Sequence, residues 1–196
     1  MIGEQFRLEI LDWIAEDPDS DTASLLAKWL SENSESELRK SFNGFLEFGT
    51  AGLRGPVRPG PSGMNRAVVG RTAAGIAAFL ISRGLSKVVI GRDARHGSAE
   101  FMQESAEILS GAGLDVYLLP RELPTPVLAF AVNEMKVDCG IMVTASHNPA
   151  TDNGYKVYFG GNLDGVEYRG SQIIAPIDNE ISKLISKVAL PSPRGL

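Results

Sequence analysis

Three polar residues with different chemistry stand side by side at Ser146, His147 and Asn148. The apolar segment 141–143 before them predicts a buried strand, so a serine hydroxyl follows a strand end in an irregular loop, where function usually lies. A serine hydroxyl is a weak nucleophile unless a base, a metal or a good electrophile assists it. The segment is a candidate for nucleophilic chemistry. Its alternative interpretation is a hydrogen-bonded turn, and the residues alone leave both open.

The residues around the serine disfavour a hydrolase. The sequence has no G-x-S-x-G segment, and its second histidine, His96, lies far upstream, so a Ser-His-acid triad has no signature here. The same residues suit a phosphoryl acceptor, because the N–H groups of a turning loop and nearby cations can hold phosphate oxygens. The chemistry predicted for Ser146 is therefore acceptance of a phosphoryl group.

Charged and imidazole side chains accompany the serine. His147 can act as a general acid or base or contact phosphate, since the ordinary histidine pKa lies near neutrality; the alternative is a loop histidine that only hydrogen-bonds the backbone. Asp93 follows Arg92 directly and predicts an ion pair that fixes their loop. Arginine and lysine suit phosphate contact, although solvated surface charge is their commoner role. The cations in or beside predicted loops are Arg54, Arg58, Arg92, Arg95 and Lys156.

Composition and missing motifs exclude several classes of protein. A net charge of −5 disfavours nonspecific nucleic-acid binding. The sequence lacks zinc-ligand spacing, a G-x-x-x-x-G-K-[ST] loop and a G-x-G-x-x-G segment after its first strand. It shows neither a leader pattern nor a long apolar run, which predicts a cytoplasmic protein without membrane contact. The one cysteine, Cys139, permits no intrachain disulfide and is predicted to be a buried core residue.

Helical and extended patterns alternate along the chain. Residues 3–42 predict helices with two apolar stripes, in which Trp13 and Trp29 are expected to pack rather than bind a ligand. A Gly- and Pro-rich segment follows, with a short strand at Leu53 and Arg54 as one interpretation, and Asn65 is expected to cap the next helix. The predicted strands are 87–91, 115–119, 138–143 and 155–159, and the predicted helices 65–82, 97–111, 125–135 and 170–188.

This alternation predicts an α/β fold. We expect a three-layer α/β/α domain with a mixed, mostly parallel four-stranded sheet, preceded by N-terminal helices, with 155–159 as the antiparallel strand. Ligands of open α/β sheets gather at the carboxyl ends of the strands. Because 91–97, 119–126 and the serine segment follow the first three strands, these three loops are expected to converge on one rim.

Four motifs in a fixed order resemble one known family. FGTAGLRG starts the α/β part, GRDAR follows the first strand, and TASHNP is followed by NGYK. Together they resemble the α-D-phosphohexomutase superfamily, most closely its phosphoglucomutase/phosphomannomutase members, over residues 46–190. The resemblance implies a helical extension at 1–45, the family's first domain at 46–190, and a linker starting at 191–196. The helical start resembles the longer N-terminus of the branch that includes phosphopentomutases.

The resemblance implies a reaction and a set of residue roles. Enzymes of this superfamily pass a phosphoryl group between a serine and a sugar phosphate, through a bisphosphate intermediate, with net transfer between C1 and C6 of a hexose. Ser146 would carry the phosphoryl group and, through it, one ligand of Mg²⁺. His147, Arg54 and Lys156 would assist catalysis, and Arg92 and Asn148 would help to bind phosphate. A hexose 1,6-bisphosphate would act as activator.

Beyond these four motifs the sequence departs from the family. It has no D-G-D-x-D-R segment, from which the superfamily supplies three aspartates to magnesium, and it lacks the sugar-reading and C-terminal phosphate-binding loops. The expected partners are therefore a small sugar phosphate and the remaining domains of a longer chain, and the fragment is expected to be inactive alone. A phosphopentomutase and a non-catalytic sugar-phosphate-binding module remain alternatives. The sugar is not specified by these residues.

Overall fold

A computed structural model describes residues 2–50 and 52–189, and the predicted linker at 191–196 lies outside them. Seven helices and six strands occur in this part of the chain. The helices are α1 (Glu4–Glu16), α2 (Ser20–Ser31), α3 (Glu35–Ser41), α4 (Arg66–Ser82), α5 (Ser98–Gly111), α6 (Thr125–Glu134) and α7 (Ile177–Ile185). The strands are β1 (Leu53–Pro56), β2 (Lys87–Arg92), β3 (Asp115–Glu122), β4 (Cys139–Val143), β5 (Asp152–Leu163) and β6 (Val166–Gln172).

The strands form one mixed sheet in the order β1-β5-β4-β2-β3, with β6 paired to the far part of β5. Strand β2 is parallel to β3 and β4, whereas β5 is antiparallel to β1, β4 and β6. The α/β fold class, the mixed sheet and the antiparallel β5 are confirmed. The sheet has six strands instead of the expected four, and the added pairs are antiparallel.

Strand β6 is the element that the sequence analysis missed, since the predicted helix 170–188 overlapped its end. The helix begins only at Ile177, directly after Pro176. A hairpin signal was present: Asp164-Gly165 connects the register pair Leu163 and Val166, and both turn residues have positive φ (51° and 84°). An Asp-Gly pair with this backbone is the usual two-residue hairpin turn.

Helices cover both faces of the sheet, as expected for three layers. On one face Ile141 of β4 and Val157 of β5 belong to a cluster with residues of α4, α5 and α7. On the other face Met142 and Tyr158 pack with Leu128 and other residues of α6. Neighbouring residues of a strand, such as Ile141 and Met142, contact opposite faces because strand side chains alternate with a period of two residues. Cys139 is fully buried, and burial raises the pKa of its thiol far above the ordinary range.

The N-terminal helices share the larger of these clusters. Trp13 is buried and packs edge-on against Phe42 at a centroid distance of 6.1 Å, and Trp29 packs against the same core. The expected packing role of both tryptophans is confirmed. Asn65 caps α4 as predicted, since its Oδ1 accepts from the Val68 N–H at 3.0 Å. None of the helices within the described ranges is long and apolar enough to cross a bilayer.

The turn before β1 has no room for a side chain. Gly52 has φ of +81°, and a Cβ built there would lie 1.9 Å from the carbonyl oxygen of Tyr155 on β5. Thr50 anchors the same turn, since its hydroxyl donates to the Asp178 carboxylate at 2.5 Å and its carbonyl accepts from Gln172 at 2.8 Å. The turn therefore fixes where β1 begins on β5.

Gly52→Ala is expected to lower the free energy of unfolding by about 3 kcal/mol or more, because the new methyl group meets backbone atoms that cannot move aside. Gly44→Ala is the matched control: Gly44 has a similar φ of +78° but nothing within 4 Å of its Cβ position. The backbone conformation alone is expected to cost the control about 1 kcal/mol. Urea unfolding followed by circular dichroism measures both, and equal losses would contradict this account of the turn.

Candidate active site

The serine loop begins where β4 ends, at Thr144. Since β1 and β4 are both antiparallel to β5, they run in the same direction, and their carboxyl ends lie at one edge of the sheet with that of β2. The loop after β2 meets the serine strand there, where the Asp93 N–H donates to the Val143 carbonyl at 3.1 Å. The loop after β3 joins them, since the Leu123 N–H donates to the Arg92 carbonyl. The expected convergence of three loops on one rim is confirmed.

Ser146 is exposed and has a left-handed backbone, with φ of +59°. Its N–H donates to the Thr144 hydroxyl at 3.0 Å, which tightens the turn after β4. Its own hydroxyl has no hydrogen-bond partner in residues 2–50 and 52–189. A non-glycine residue in this conformation costs on the order of 1 kcal/mol and persists only when its surroundings enforce it. The serine is thus held in a fixed orientation with its hydroxyl open to an incoming group.

His147 and Asn148 differ in how they are held. His147 is exposed beside the serine, and its imidazole makes no hydrogen bond or ion pair within the described part of the chain. The Asn148 side chain donates to Asp152 at 3.0 Å, and its N–H donates to the Ala145 carbonyl at 3.1 Å. Asn148 therefore shapes the loop, and its amide is already engaged within it.

Arg54 and Lys156 lie on neighbouring strands close to the start of the serine loop. Arg54 is opposite Gly154 in the β1–β5 register, and Lys156 is two residues further along the same face of β5. A Cβ at Gly154 would lie 2.6 Å from the Thr144 carbonyl oxygen and 3.0 Å from the Arg54 Cγ. The missing side chain of Gly154 therefore lets the stem of Arg54 lie against the strand end that carries the serine.

The charges of Arg54 and Lys156 are not neutralised by a carboxylate within the described ranges. Burial and the nearby Arg54 guanidinium lower the pKa of Lys156, a residue that is 9% exposed. The Nε of Arg54 is buried without a hydrogen-bond partner. An anion at this place would relieve the repulsion between the two cations and the cost of their burial.

Arg58 extends this positive region along the rim. It follows β1, and the Val57 N–H before it donates to the Thr151 carbonyl, so it lies beyond the serine loop at the same edge of the sheet. With Arg54 and Lys40 it lines a groove of about 540 Å³. Lys40 is paired with Glu37 at 2.7 Å. Neither arginine forms an ion pair with a carboxylate within the described residues, although Glu37 attracts Arg58 at longer range and Glu47 lines the same groove.

Two further rim cations are bound to carboxylates. Arg92 pairs with Glu122 at 2.6 Å, and Asp93 pairs with Arg95 (Nε to Oδ2, 3.4 Å). The predicted Asp93–Arg92 ion pair is therefore wrong: the Asp93 side chain turns towards the residue two positions later. Adjacency in sequence could not decide this, because successive residues in the loop point in different directions.

Two residues have roles that the sequence does not predict. Arg95 is expected to be a surface or phosphate-contacting cation, but its guanidinium donates to four carbonyls of the serine loop. Asn153, which is fully buried, was not singled out: its amide donates to the His96 carbonyl and to the Ser98 hydroxyl, both at 2.9 Å. The sequence signal for both was their place in GRDAR and NGYK. His96 itself is exposed.

The described residues do not by themselves fit a metal centre. They contain no cluster of three His, Cys, Asp or Glu side chains able to hold an ion. The exposed Ser146 hydroxyl is a single oxygen, and its neighbours Arg54 and Lys156 are cations that repel a metal. Magnesium binding through this serine requires both a phosphoryl group and carboxylates from elsewhere.

Lys156→Met is expected to raise the free energy of unfolding by about 1 kcal/mol at pH 7, because it removes a largely buried charge that has no carboxylate partner in the described ranges. The folded-state pKa of Lys156 lies below its unfolded value. The charge therefore destabilises the fold at pH values below the folded pKa, and this cost disappears as the pH approaches the unfolded pKa. The advantage of the variant should thus shrink in alkaline solution.

Chemical unfolding of both proteins from pH 6 to pH 10 measures the effect of Lys156→Met. Lys87→Met, at an exposed lysine of β2, is the control and should change stability by less than about 0.5 kcal/mol. A loss of stability in Lys156→Met at pH 7 would show that the lysine has a stabilising anionic partner.

Known proteins resemble this chain in sequence and fold. The family model described as phosphoglucomutase/phosphomannomutase, alpha/beta/alpha domain I, matches residues 46–190. A Haemophilus influenzae protein named "Probable phosphomannomutase" is 51% identical over 130 residues, which cover 65% of this chain and 25% of the relative. Human phosphopentomutase is 37% identical over 98% of this chain and 32% of its own length.

The same fold occurs in a solved structure of a phosphoglucomutase/phosphomannomutase family protein from Burkholderia thailandensis. It superposes with a TM-score of 0.59 and 27% identity, over 76% of this chain and 31% of that one. The chain thus spans about a third or less of the length of the relatives it matches. With a family match across most of its length, the chain belongs to the phosphoglucomutase/phosphomannomutase family and comprises that family's α/β/α domain I.

Proposed function

We propose that this chain is the phosphoserine domain of an enzyme that moves a phosphoryl group between C1 and C6 of a hexose phosphate. The observation that carries the proposal is the exposed, unpartnered Ser146 hydroxyl on a loop whose start lies near two cations without carboxylate partners in the described structure. A protein that only bound sugar phosphates would have no use for an acceptor hydroxyl in this position. Relatives named phosphomannomutase and phosphoglucomutase support the same reaction class.

The proposed step exchanges one phosphoryl group between two oxygens. The Ser146 oxygen attacks phosphorus of a hexose 1,6-bisphosphate, its bond to phosphorus forms, and the bond from phosphorus to one sugar oxygen breaks. The serine proton passes to the departing sugar oxygen, which yields phosphoserine and a hexose monophosphate. Phosphoserine can then pass its phosphoryl group to the free hydroxyl of the isomeric monophosphate: the bond from that sugar oxygen to phosphorus forms, the bond from the Ser146 oxygen breaks, and the hydroxyl proton returns to Ser146. This step regenerates the bisphosphate, which therefore acts as intermediate and as activator.

The neighbouring residues supply charge and proton transfer. Arg54 and Lys156 stabilise the negative charge on the transferring oxygens, an interaction that strengthens in a site shielded from water. His147, beside the serine, is the proposed proton carrier or phosphate contact. Arg92 and Asn148 are the weaker candidates for phosphate contact, because Glu122 and Asp152 already engage them.

The remaining parts of the proposal concern groups outside residues 2–50 and 52–189. Mg²⁺ is proposed as the metal, bound by one oxygen of phosphorylated Ser146 and by carboxylates of a further part of the enzyme. The sugar phosphate and those further domains are the proposed partners, in the cytoplasm. Neither nucleic acid nor a membrane has a role in the proposed reaction.

Phosphopentomutase activity is the second candidate. The alignment with human phosphopentomutase extends over 98% of this chain and thus includes the N-terminal helices, whereas the Haemophilus influenzae relative covers 65%. Ribose 1,5-bisphosphate and glucose 1,6-bisphosphate can be compared as phosphoryl donors to Ser146. A faster transfer from the pentose compound would replace the hexose assignment without changing the chemistry at the serine.

Incubation of the complete gene product with glucose 1,6-bisphosphate is expected to add one phosphate to Ser146. Peptide mass spectrometry detects this phosphate and assigns it to the residue. Ser146→Ala should abolish the label, because the acceptor oxygen is gone. Ser110→Ala, at an exposed serine of α5, should label normally. Absence of the phosphate from the wild-type protein with either bisphosphate would favour a non-catalytic binding module. Steady conversion of glucose 1-phosphate by the 196-residue chain alone would contradict its expected inactivity.

Arg54→Ala is expected to slow phosphorylation of Ser146 by about 100-fold, a typical cost of removing one group that stabilises transition-state charge. Arg121→Ala is the control, since Arg121 is exposed near the end of β3. Single-turnover labelling at saturating bisphosphate measures both rates. An Arg54→Ala rate within about threefold of wild type would remove this arginine from the catalytic set.

A further inference from the structure

We propose that Arg95 is the positioning residue of the phosphoryl-accepting loop: it holds Ser146 in its reactive orientation without touching the substrate. The catalytic part of this inference rests on the function proposed above. Its structural part, that one guanidinium determines the shape of the serine loop, stands on contacts within this chain.

The guanidinium of Arg95 donates to four backbone carbonyls of the loop. Nη1 donates to Pro149 at 2.6 Å and to Asp152 at 2.9 Å. Nη2 donates to Ser146 at 3.0 Å and to Asn148 at 2.8 Å. These acceptors span residues 146–152, so one side chain ties together both ends and the middle of the loop.

The donor inventory of arginine leaves Arg95 little for a phosphate. A guanidinium has five N–H groups in a fixed plane. Four of them are taken by the carbonyls, and the fifth, on Nε, faces the Asp93 carboxylate at 3.4 Å. Arg95 therefore keeps at most its Nε–H for a ligand, and that group faces a carboxylate that repels phosphate, unlike Arg54, whose Nε is buried without a partner.

A second layer of contacts orients Arg95 itself. Asp93 Oδ1 accepts from the backbone N–H of Arg95 at 3.0 Å and from the Ser98 hydroxyl at 2.7 Å. The Ser98 hydroxyl in turn accepts from the buried Asn153 amide on β5. This series of hydrogen bonds connects the loop after β2 to β5, the strand that follows the serine loop. Arg95 is therefore linked to the sheet through β5 as well as through its own place after β2.

The loop needs such an anchor because its backbone is otherwise weakly held. Only two loop N–H groups, those of Asn148 and Asp152, donate to carbonyls within residues 145–152. Ser146 also occupies a left-handed conformation that a serine adopts only under constraint. The bond from Arg95 to the Ser146 carbonyl acts on that residue directly and supplies the constraint.

Arg95→Lys and Arg95→Ala test the proposal in the complete gene product. A lysine ammonium keeps the charge, but it has three donors on a single atom and cannot reach four carbonyls spread around a plane. Misplacement of the serine by about 1 Å is expected to slow its phosphorylation by about 100-fold in both variants. Affinity for the bisphosphate should stay within about twofold, because the one N–H that Arg95 has left faces the Asp93 carboxylate. Guanidinium ion added at millimolar concentration should partly restore the rate in Arg95→Ala only.

Hydrogen exchange provides a readout that does not depend on catalysis. The Asn148 and Asp152 amides should exchange about tenfold faster or more in both variants, while amides of β2 and β4 keep their wild-type rates. Arg121→Ala, the surface control, should leave labelling and exchange unchanged. Asp93→Asn keeps the four carbonyl bonds but weakens their anchor, so it should show a smaller effect of the same kind.

The outcomes separate this inference from the proposed function. If wild-type protein is not phosphorylated but loop exchange rises in the Arg95 variants, the function fails and the structural role stands. If wild-type protein is phosphorylated and Arg95→Lys matches its rate, the positioning role is overturned. Equal acceleration of exchange in the loop and in β4 would also overturn it, since Arg95 would then support the whole fold. Should both Arg95 variants fail to fold, unchanged loop exchange in Asp93→Asn would count against the proposal.

Discussion

Strand β5 runs antiparallel to both β1 and β4, and the arrangement of the candidate site depends on this pairing. It makes β1 and β4 point the same way, so that Arg54 from one strand and the serine loop from the other reach the same edge of the sheet. The strands approach closely at Gly154, with two carbonyl oxygens and the Arg54 stem within 3.0 Å of its Cβ position. Close backbone packing thus brings the stem of Arg54 against the strand end that precedes Ser146.

The rim cations are of two kinds: those paired with a carboxylate and those without such a partner in the described structure. Arg92 is paired with Glu122 and Arg95 with Asp93, so both charges are engaged in ion pairs within the loops around the serine. Arg54 and Lys156 lack such partners in the described structure, and they create a local positive field in a chain of net charge −5. The field is unfavourable for the empty protein and favourable for a phosphoryl group, which is the difference that binding and transfer require.

The order of hydrophobic and polar residues predicts much of the fold, but it does not predict the directions in which the side chains of the candidate site point. Helical stripes, the Asn65 cap and the buried runs of β2 and β4 each have a local cause, so the sequence predicts them. Strand β6 was lost because a helical pattern further along outweighed the Asp164-Gly165 turn. Among the site residues, Ser146 was recognisable from its loop. The different roles of Arg54, which lacks a carboxylate partner in the described ranges, and Arg95, which binds loop carbonyls, are not recognisable from the sequence. They depend on which groups the tertiary structure places around each guanidinium.

The left-handed backbone at Ser146 also restricts which amino acid can serve as acceptor. Threonine carries the same hydroxyl and is an equally plausible nucleophile in solution chemistry. Its branched Cβ, however, is strongly disfavoured at φ of +59°. Glycine would fit the conformation and lose the oxygen. Of the residues with an aliphatic hydroxyl, serine alone satisfies the proposed chemistry and the backbone together, so the shape of this loop restricts the proposed acceptor to serine.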